Sequence, residues 1–121
     1  MATTRRQKRI GELLKEELGI LLLREARDPR LVGVTVTEVE ISPDLGHARV
    51  FISLIGDEAE RAGALEALDH ASGFLRRQLA GRLDLRRVPR LSFHFDESME
   101  RGQRILSILH QIEQAHEDEE T

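Results

Sequence analysis

The chain has 121 residues, 40% hydrophobic and 33% charged, enough for one domain around a single core and too short for two. It contains no cysteine, which excludes disulfides, thiolate metal sites, iron–sulfur clusters and cysteine nucleophiles together. The net charge of −4 speaks against a polyanionic partner only until its distribution is read. Five of the 22 acids (Glu113, Glu117, Asp118, Glu119, Glu120) lie at the C-terminal end, and the rest of the chain carries 18 bases against 17 acids.

Residues 1–4 are expected to fray. From about Arg5 to Ala26, Ile10, Leu13, Leu14, Leu18, Leu21 and Leu22 recur at spacings of three and four, the mark of a helix with one apolar face. Asp28-Pro29 stops it, because the residue before proline is pushed out of the α region. The longest apolar run, Ile20 to Leu23, falls far short of the ~20 residues needed to cross a bilayer. The basic residues near the start precede an amphipathic stretch, so no secretory leader is expected. The run Val34 to Ile41 is rich in β-branched residues. Its alternation breaks, with Val34 and Val36 on one parity and Val39 and Ile41 on the other. A bulge or a strand covered on both faces would each explain this.

Ser42-Pro43-Asp44-Leu45-Gly46 has turn chemistry, and His47 to Ile55 alternates cleanly with Ala48, Val50, Ile52 and Leu54 on one side. The two strands read as a hairpin. Asp57 is a candidate N-cap for a helical stretch from about Glu58 to Leu83, striped with Leu65, Leu68, Leu75 and Leu79. Gly73, after Ala71-Ser72, costs roughly 1 kcal/mol against alanine in mid-helix, so two helices joined at a kink or a close backbone approach are expected there. Val88-Pro89-Arg90 ends the stretch. A third strand follows, with Leu91, Phe93 and Phe95 on one face. A last helix is expected from about Met99 to Gln114, with Ile105, Leu106, Ile108, Leu109 and Ile112 on one face. The order α-β-β-α-(kink)-α-β-α is that of an α+β fold with a three-stranded mixed sheet packed by helices. The helical crossover makes the second and third strands parallel.

Signals for catalysis are weak. His47, His70, His94, His110 and His116 never form a metal-spaced pair, and no nucleophile elbow, Walker loop or dinucleotide-type glycine loop is present. His94 and Asp96 share a strand parity and could form a dyad, though such pairs are usually ordinary surface groups. Aromatic residues are few. Phe93 and Phe95 belong with the core, Phe51 lies opposite the apolar face of its strand, and a sheet platform for stacking bases is not expected. The arginines stand out. Sixteen of the 18 bases are arginine, and Arg76, Arg77, Arg82, Arg86, Arg87 and Arg90 fall in one stretch with Asp84 as its single acid. Such a stretch is either a solvated face or a surface that follows phosphates, and the second reading is favoured because arginine grips phosphate as a planar fork. Arg5, Arg6, Lys8 and Arg9 could extend it.

Several segments together resemble the ribosome-binding factor A family, from about residue 5 to residue 112. They are Arg9-Ile10-Gly11-Glu12-Leu13-Leu14, Asp28-Pro29-Arg30, Val34 to Val39, Ser42-Pro43-Asp44-Leu45-Gly46-His47-Ala48-Arg49-Val50-Phe51-Ile52-Ser53, Ala71-Ser72-Gly73, Arg82 to Arg86 and Val88 to Phe93. The resemblance implies a type II KH-like domain, read here over residues 5–114, and the acidic end, 115–121, is expected from its charge to be solvated and disordered. The resemblance also implies a cytoplasmic, non-catalytic assembly factor, associated with growth in the cold, and a monomer is expected because no exposed apolar heptad stands out. Such a factor binds the free 30S subunit and its 16S rRNA and supports late maturation, including processing of the 16S precursor at its 5′ end. It needs no cofactor, metal, membrane or small-molecule substrate. Ala71-Ser72-Gly73 stands where a standard KH domain has G-x-x-G, so standard single-strand recognition is not implied. The rival readings are an rRNA nuclease using His94 with Asp96, and a protein-interaction module whose arginines meet acidic partners.

Overall fold

The computed structural model describes residues 3–24, 27–97 and 112. Helix α1 spans Arg5–Arg24 and buries Ile10, Leu14, Leu18, Leu21 and Leu22. Leu13, expected on that face, lies a third of a turn aside and is 38% exposed. The helix opens on a reciprocal cap. The Gln7 N–H donates to Thr4 Oγ1 at 3.1 Å and the Thr4 N–H to Gln7 Oε1 at 2.8 Å, so Thr4 is held rather than frayed. A short 3-10 turn, Pro29–Leu31, follows, with Asp28 capping it by accepting from the Arg30 N–H at 2.9 Å.

Strand β1 (Thr35–Ile41) runs antiparallel to β2 (His47–Ser53), which runs parallel to β3 (Arg90–Phe95), in the order β1-β2-β3. The parity break in β1 is a bulge. Val36 pairs with Ile52 and Glu38 with Phe51, leaving Thr37 between them. The Thr37 hydroxyl donates to Asp96 Oδ2 at 2.7 Å and ties the bulge to the end of β3. Past the bulge Val39 and Ile41 turn inward beside Val36. The β1–β2 turn places Leu45 at φ 62°, a left-handed conformation unusual for leucine.

The crossover helix α2 (Glu58–Arg82) starts on Asp57, whose carboxylate accepts from the Glu60 N–H at 2.7 Å in a capping box. It is one continuous helix, which corrects the expected pair of helices joined at Ala71, Ser72 and Gly73. A propensity cost of about 1 kcal/mol is too small to break a helix capped at its start and anchored on both sides of the glycine by Leu68, Leu75 and Leu79. A Cβ at Gly73 would meet nothing nearer than Arg77 Nη1 at 3.5 Å, so the expected close backbone approach is absent among the described residues. Gly73→Ala is therefore expected to stabilise the free protein by up to about 1 kcal/mol. Thermal unfolding checks this, and a lower melting temperature would show that the glycine is conformationally required.

Both helices lie on one sheet face. Ala48, Val50 and Ile52 of β2 are fully buried there with Leu14, Leu18, Leu21, Leu68 and Leu79. Phe93 completes this core, while Leu91 and Phe95 are half-buried at its margin. The opposite sheet face carries polar and charged residues. No described helix is long and apolar enough to span a bilayer. The expected last helix, Met99 to Gln114, and the acidic tail lie outside the described residues, apart from Ile112, which is exposed.

Candidate nucleic-acid interface

Three segments distant in sequence meet at one pole of the domain: the start of α1, the β1–β2 turn, and the loop from Leu83 to Pro89 between α2 and β3. Two backbone-anchored bonds bring them together. The buried Gln7 amide donates to the Ile41 carbonyl at 2.8 Å, locking the start of α1 to the end of β1. The Arg90 N–H donates to the Gly46 carbonyl at 2.9 Å, locking the start of β3 to the turn. Between them lies a cleft of about 390 Å³ lined by Arg6, Asp44, Leu45, Leu85, Arg86 and Arg87.

The acid in this cleft is already engaged. Asp44 accepts from the Ser42 hydroxyl at 2.6 Å and the Gly46 N–H at 2.9 Å, and Ser42 Oγ in turn accepts from the His47 N–H at 3.0 Å. The Ser42 hydrogen bond holds the Asp44 carboxyl below its ordinary range, with smaller help from the Gly46 N–H and the Arg87 charge. Asp44 builds the turn, and three guanidinium groups border the cleft against one carboxylate.

Helix α1 strengthens the bias. A helix N-terminus carries a partial positive charge and favours acids in its first turn. Here the first turn has no acid, and Arg5, Arg6, Lys8 and Arg9 crowd the first two turns. All four are exposed. Stacking cations on the positive end of a helix opposes stability and suits an external anion.

The arginines expected to act together divide in the structure. Arg86 and Arg87 are exposed at the pole with Arg6, while Arg90 is exposed at the start of β3, beside His47 in the sheet. Arg76 is half-buried and donates to the Val88 carbonyl at 3.1 Å, pinning the loop that carries Arg86 and Arg87 onto α2. Arg82 lies 3.6 Å from Glu17 of α1. Arg77 is exposed along α2, near Gly73 rather than in the cleft. Ala71 and Ser72 are half-buried within α2. One contributor to the pole, Gln7, was missed in the sequence, and one exposed neighbour, His47, was not connected with it. Gln7 was signalled by its T-x-x-Q capping pattern, and His47, exposed and paired with Arg90 in register, had no signal of its own.

Other candidate sites fit a polyanion less well. A larger hollow of about 620 Å³ between the end of α1 and the middle of α2 is lined by Leu22, Leu31, Ala67, Phe74 and Leu75 together with Arg24, Arg27, Asp28 and His70, and its surface is mostly apolar. His94 and Asp96 are engaged separately, His94 with Ser92 Oγ at 3.0 Å and Asp96 with Thr37. Among the described residues, no group of three or more His, Asp or Glu is placed to hold a metal ion.

Comparisons with known proteins agree with the resemblance carried by the motifs. The family model described as ribosome-binding factor A matches residues 6–109. A ribosome-binding factor A from Thermomicrobium roseum is 46% identical over 116 residues, covering 96% of this chain and 90% of the relative. One from Halothermothrix orenii is 41% identical over 114 residues, covering 94% and 93%. The crystal structure of ribosome-binding factor A from Thermus thermophilus superposes with a TM-score of 0.67 at 34% identity, covering 74% of this chain and 93% of that one. A homology model of the Thermus thermophilus factor, fitted into the cryo-EM map of a 30S–RbfA complex, superposes with a TM-score of 0.62 at 34% identity, covering 72% and 91%. With the family pattern matched across nearly all the described residues and relatives aligned over more than nine-tenths of this chain, the chain belongs to the ribosome-binding factor A family.

Proposed function

We propose that this protein is a non-catalytic, cytoplasmic assembly factor that binds the 30S subunit through 16S rRNA phosphates at the arginine pole. The convergence of Arg6, Arg86 and Arg87 on one cleft carries this reading. Family membership supports it, as does the fit of a relative into a map of a 30S–RbfA complex. Each guanidinium laid on a phosphate releases counterions and adds affinity without reading sequence. Because the pole is braced by Gln7, Asp44 and Arg76, its arginines are spaced in advance, and binding favours the rRNA conformation that matches that spacing. The protein thereby supports late maturation, including 5′-end processing of the 16S precursor, while separate nucleases cut the RNA. Co-sedimentation with purified 30S subunits tests the reading. Attachment is expected to fall steeply as salt rises, and salt-insensitive attachment would refute it.

A further inference from the structure

The sheet face turned away from the helices has a composition that phosphate binding at the pole does not use. Across β2 and β3 it presents His47, Arg49 and Phe51 beside their register partners Arg90, Ser92 and His94. No described element lies over it, and His47, Arg49, Arg90 and His94 are all exposed. Among the described residues Phe51 is the one aromatic hydrocarbon on this face, half-buried among polar neighbours. The Arg49 guanidinium carbon sits 5.6 Å from its ring centroid, and the His94 ring lies 5.9 Å away at 39°. Ser92 Oγ bridges the two imidazoles, 2.8 Å from His47 Nε2 and 3.0 Å from His94 Nε2. The β1 side of the face is acidic, with Glu38 and with Glu40 paired to Arg49, so the aromatic and basic groups are confined to the β2–β3 half.

We infer that this half-face holds an unpaired stretch of RNA, with a base stacked on Phe51 and His94 and its flanking phosphate toward Arg90. Three features select this partner. An aromatic ring beside an imidazole and a guanidinium offers π-faces that every base can use. The hydroxyl and imidazoles beside it can exchange hydrogen bonds with base edges. The half-face is continuous with the arginine pole, because Arg90 opens β3 directly after the loop bearing Arg86 and Arg87 and pairs with His47. A strand whose phosphates lie at the pole can therefore run onto the sheet. A duplex cannot present a base face there, so the surface distinguishes unpaired from paired rRNA. No sheet platform is expected from the sequence. The structure offers a single-base one, built from residues on two strands that only the parallel register brings together.

The chain has no Trp and no Tyr, so Phe51→Trp supplies a lone fluorophore on this face. Its emission is expected to be quenched on saturation with single-stranded oligoadenylate, and not with the same strand paired to oligouridylate. Phe51→Leu keeps an apolar side chain and removes the ring. With its thermal unfolding matched to the parent, it is expected to bind oligoadenylate about tenfold more weakly, with an unchanged salt dependence. Unaltered affinity in Phe51→Leu, unchanged Trp emission at saturation, or no saturable oligoadenylate binding by the parent would overturn the inference. Loss of 30S attachment with oligoadenylate binding intact would also overturn it, assigning the face to a protein neighbour instead. Failure of the arginine pole would be seen separately, as an unchanged salt dependence when Arg86 and Arg87 are neutralised.

Discussion

Replacing Arg86 and Arg87 together with glutamate is expected to lower affinity for the 30S subunit by about a hundredfold or more. Each charge-assisted hydrogen bond contributes at least about 1.5 kcal/mol, and losing two removes about 3 kcal/mol before the new repulsion is counted. Both side chains are exposed on the Leu83–Pro89 loop, so folding should be unaffected. Arg76 provides the contrast. Its guanidinium holds that loop through the Val88 carbonyl, so Arg76→Ala should lower the melting temperature and weaken binding indirectly. Arg77→Glu, outside the cleft, should cost much less than the double variant. If Arg77→Glu instead matched the double variant, the α2 surface and not the pole would carry the rRNA. Equilibrium co-sedimentation at fixed salt, read beside thermal unfolding, distinguishes these outcomes.

Gly11→Ala is expected to be the most damaging single-methyl change on the helix–sheet contact. A Cβ at residue 11 would lie 2.7 Å from the Val39 carbonyl oxygen, a backbone atom in a strand paired to β2. Neither side can yield locally, so α1 must lift away from β1. Overpacking of this kind costs roughly 1–3 kcal/mol, a large share of the ~5–15 kcal/mol that holds a domain folded. Gly19, about two turns later on the same helix, reverses the sign. A Cβ there meets nothing within 4 Å among the described residues, so Gly19→Ala should gain about 1 kcal/mol of helix propensity. Urea unfolding of the two variants compares them, and equal effects would mean that α1 is not seated as described. The lift in Gly11→Ala also strains the Gln7 bond to Ile41, so rRNA binding should weaken with stability.

Much of this architecture was legible in the residues, for identifiable reasons. Local periodicity is set by short-range geometry, so the α1 stripe, the hairpin across Ser42–Gly46, the Asp57 cap and the parallel return to β3 could all be read directly. What stayed open depended on distant partners. The choice between a bulge and a doubly covered strand turned on Thr37, which is settled by an aspartate more than fifty residues away. The continuity of α2 turned on whether neighbouring leucines outweigh one glycine. The arginines illustrate the same limit. In sequence they form one stretch, but helical geometry sends Arg76 inward to Val88 and brings Arg82 toward Glu17, while Arg86, Arg87 and Arg90 remain outward. The order of residues left open whether Arg6 joins Arg86 and Arg87, because that depends on where α1 crosses the sheet.

The most direct test of phosphate contact at the pole is the slope of log affinity for the 30S subunit against log salt concentration. Neutralising Arg86 and Arg87 to alanine should make that slope shallower by roughly two units, about one for each phosphate released. A slope equal to that of the parent protein would contradict phosphate binding by these arginines, however much the affinity itself had changed.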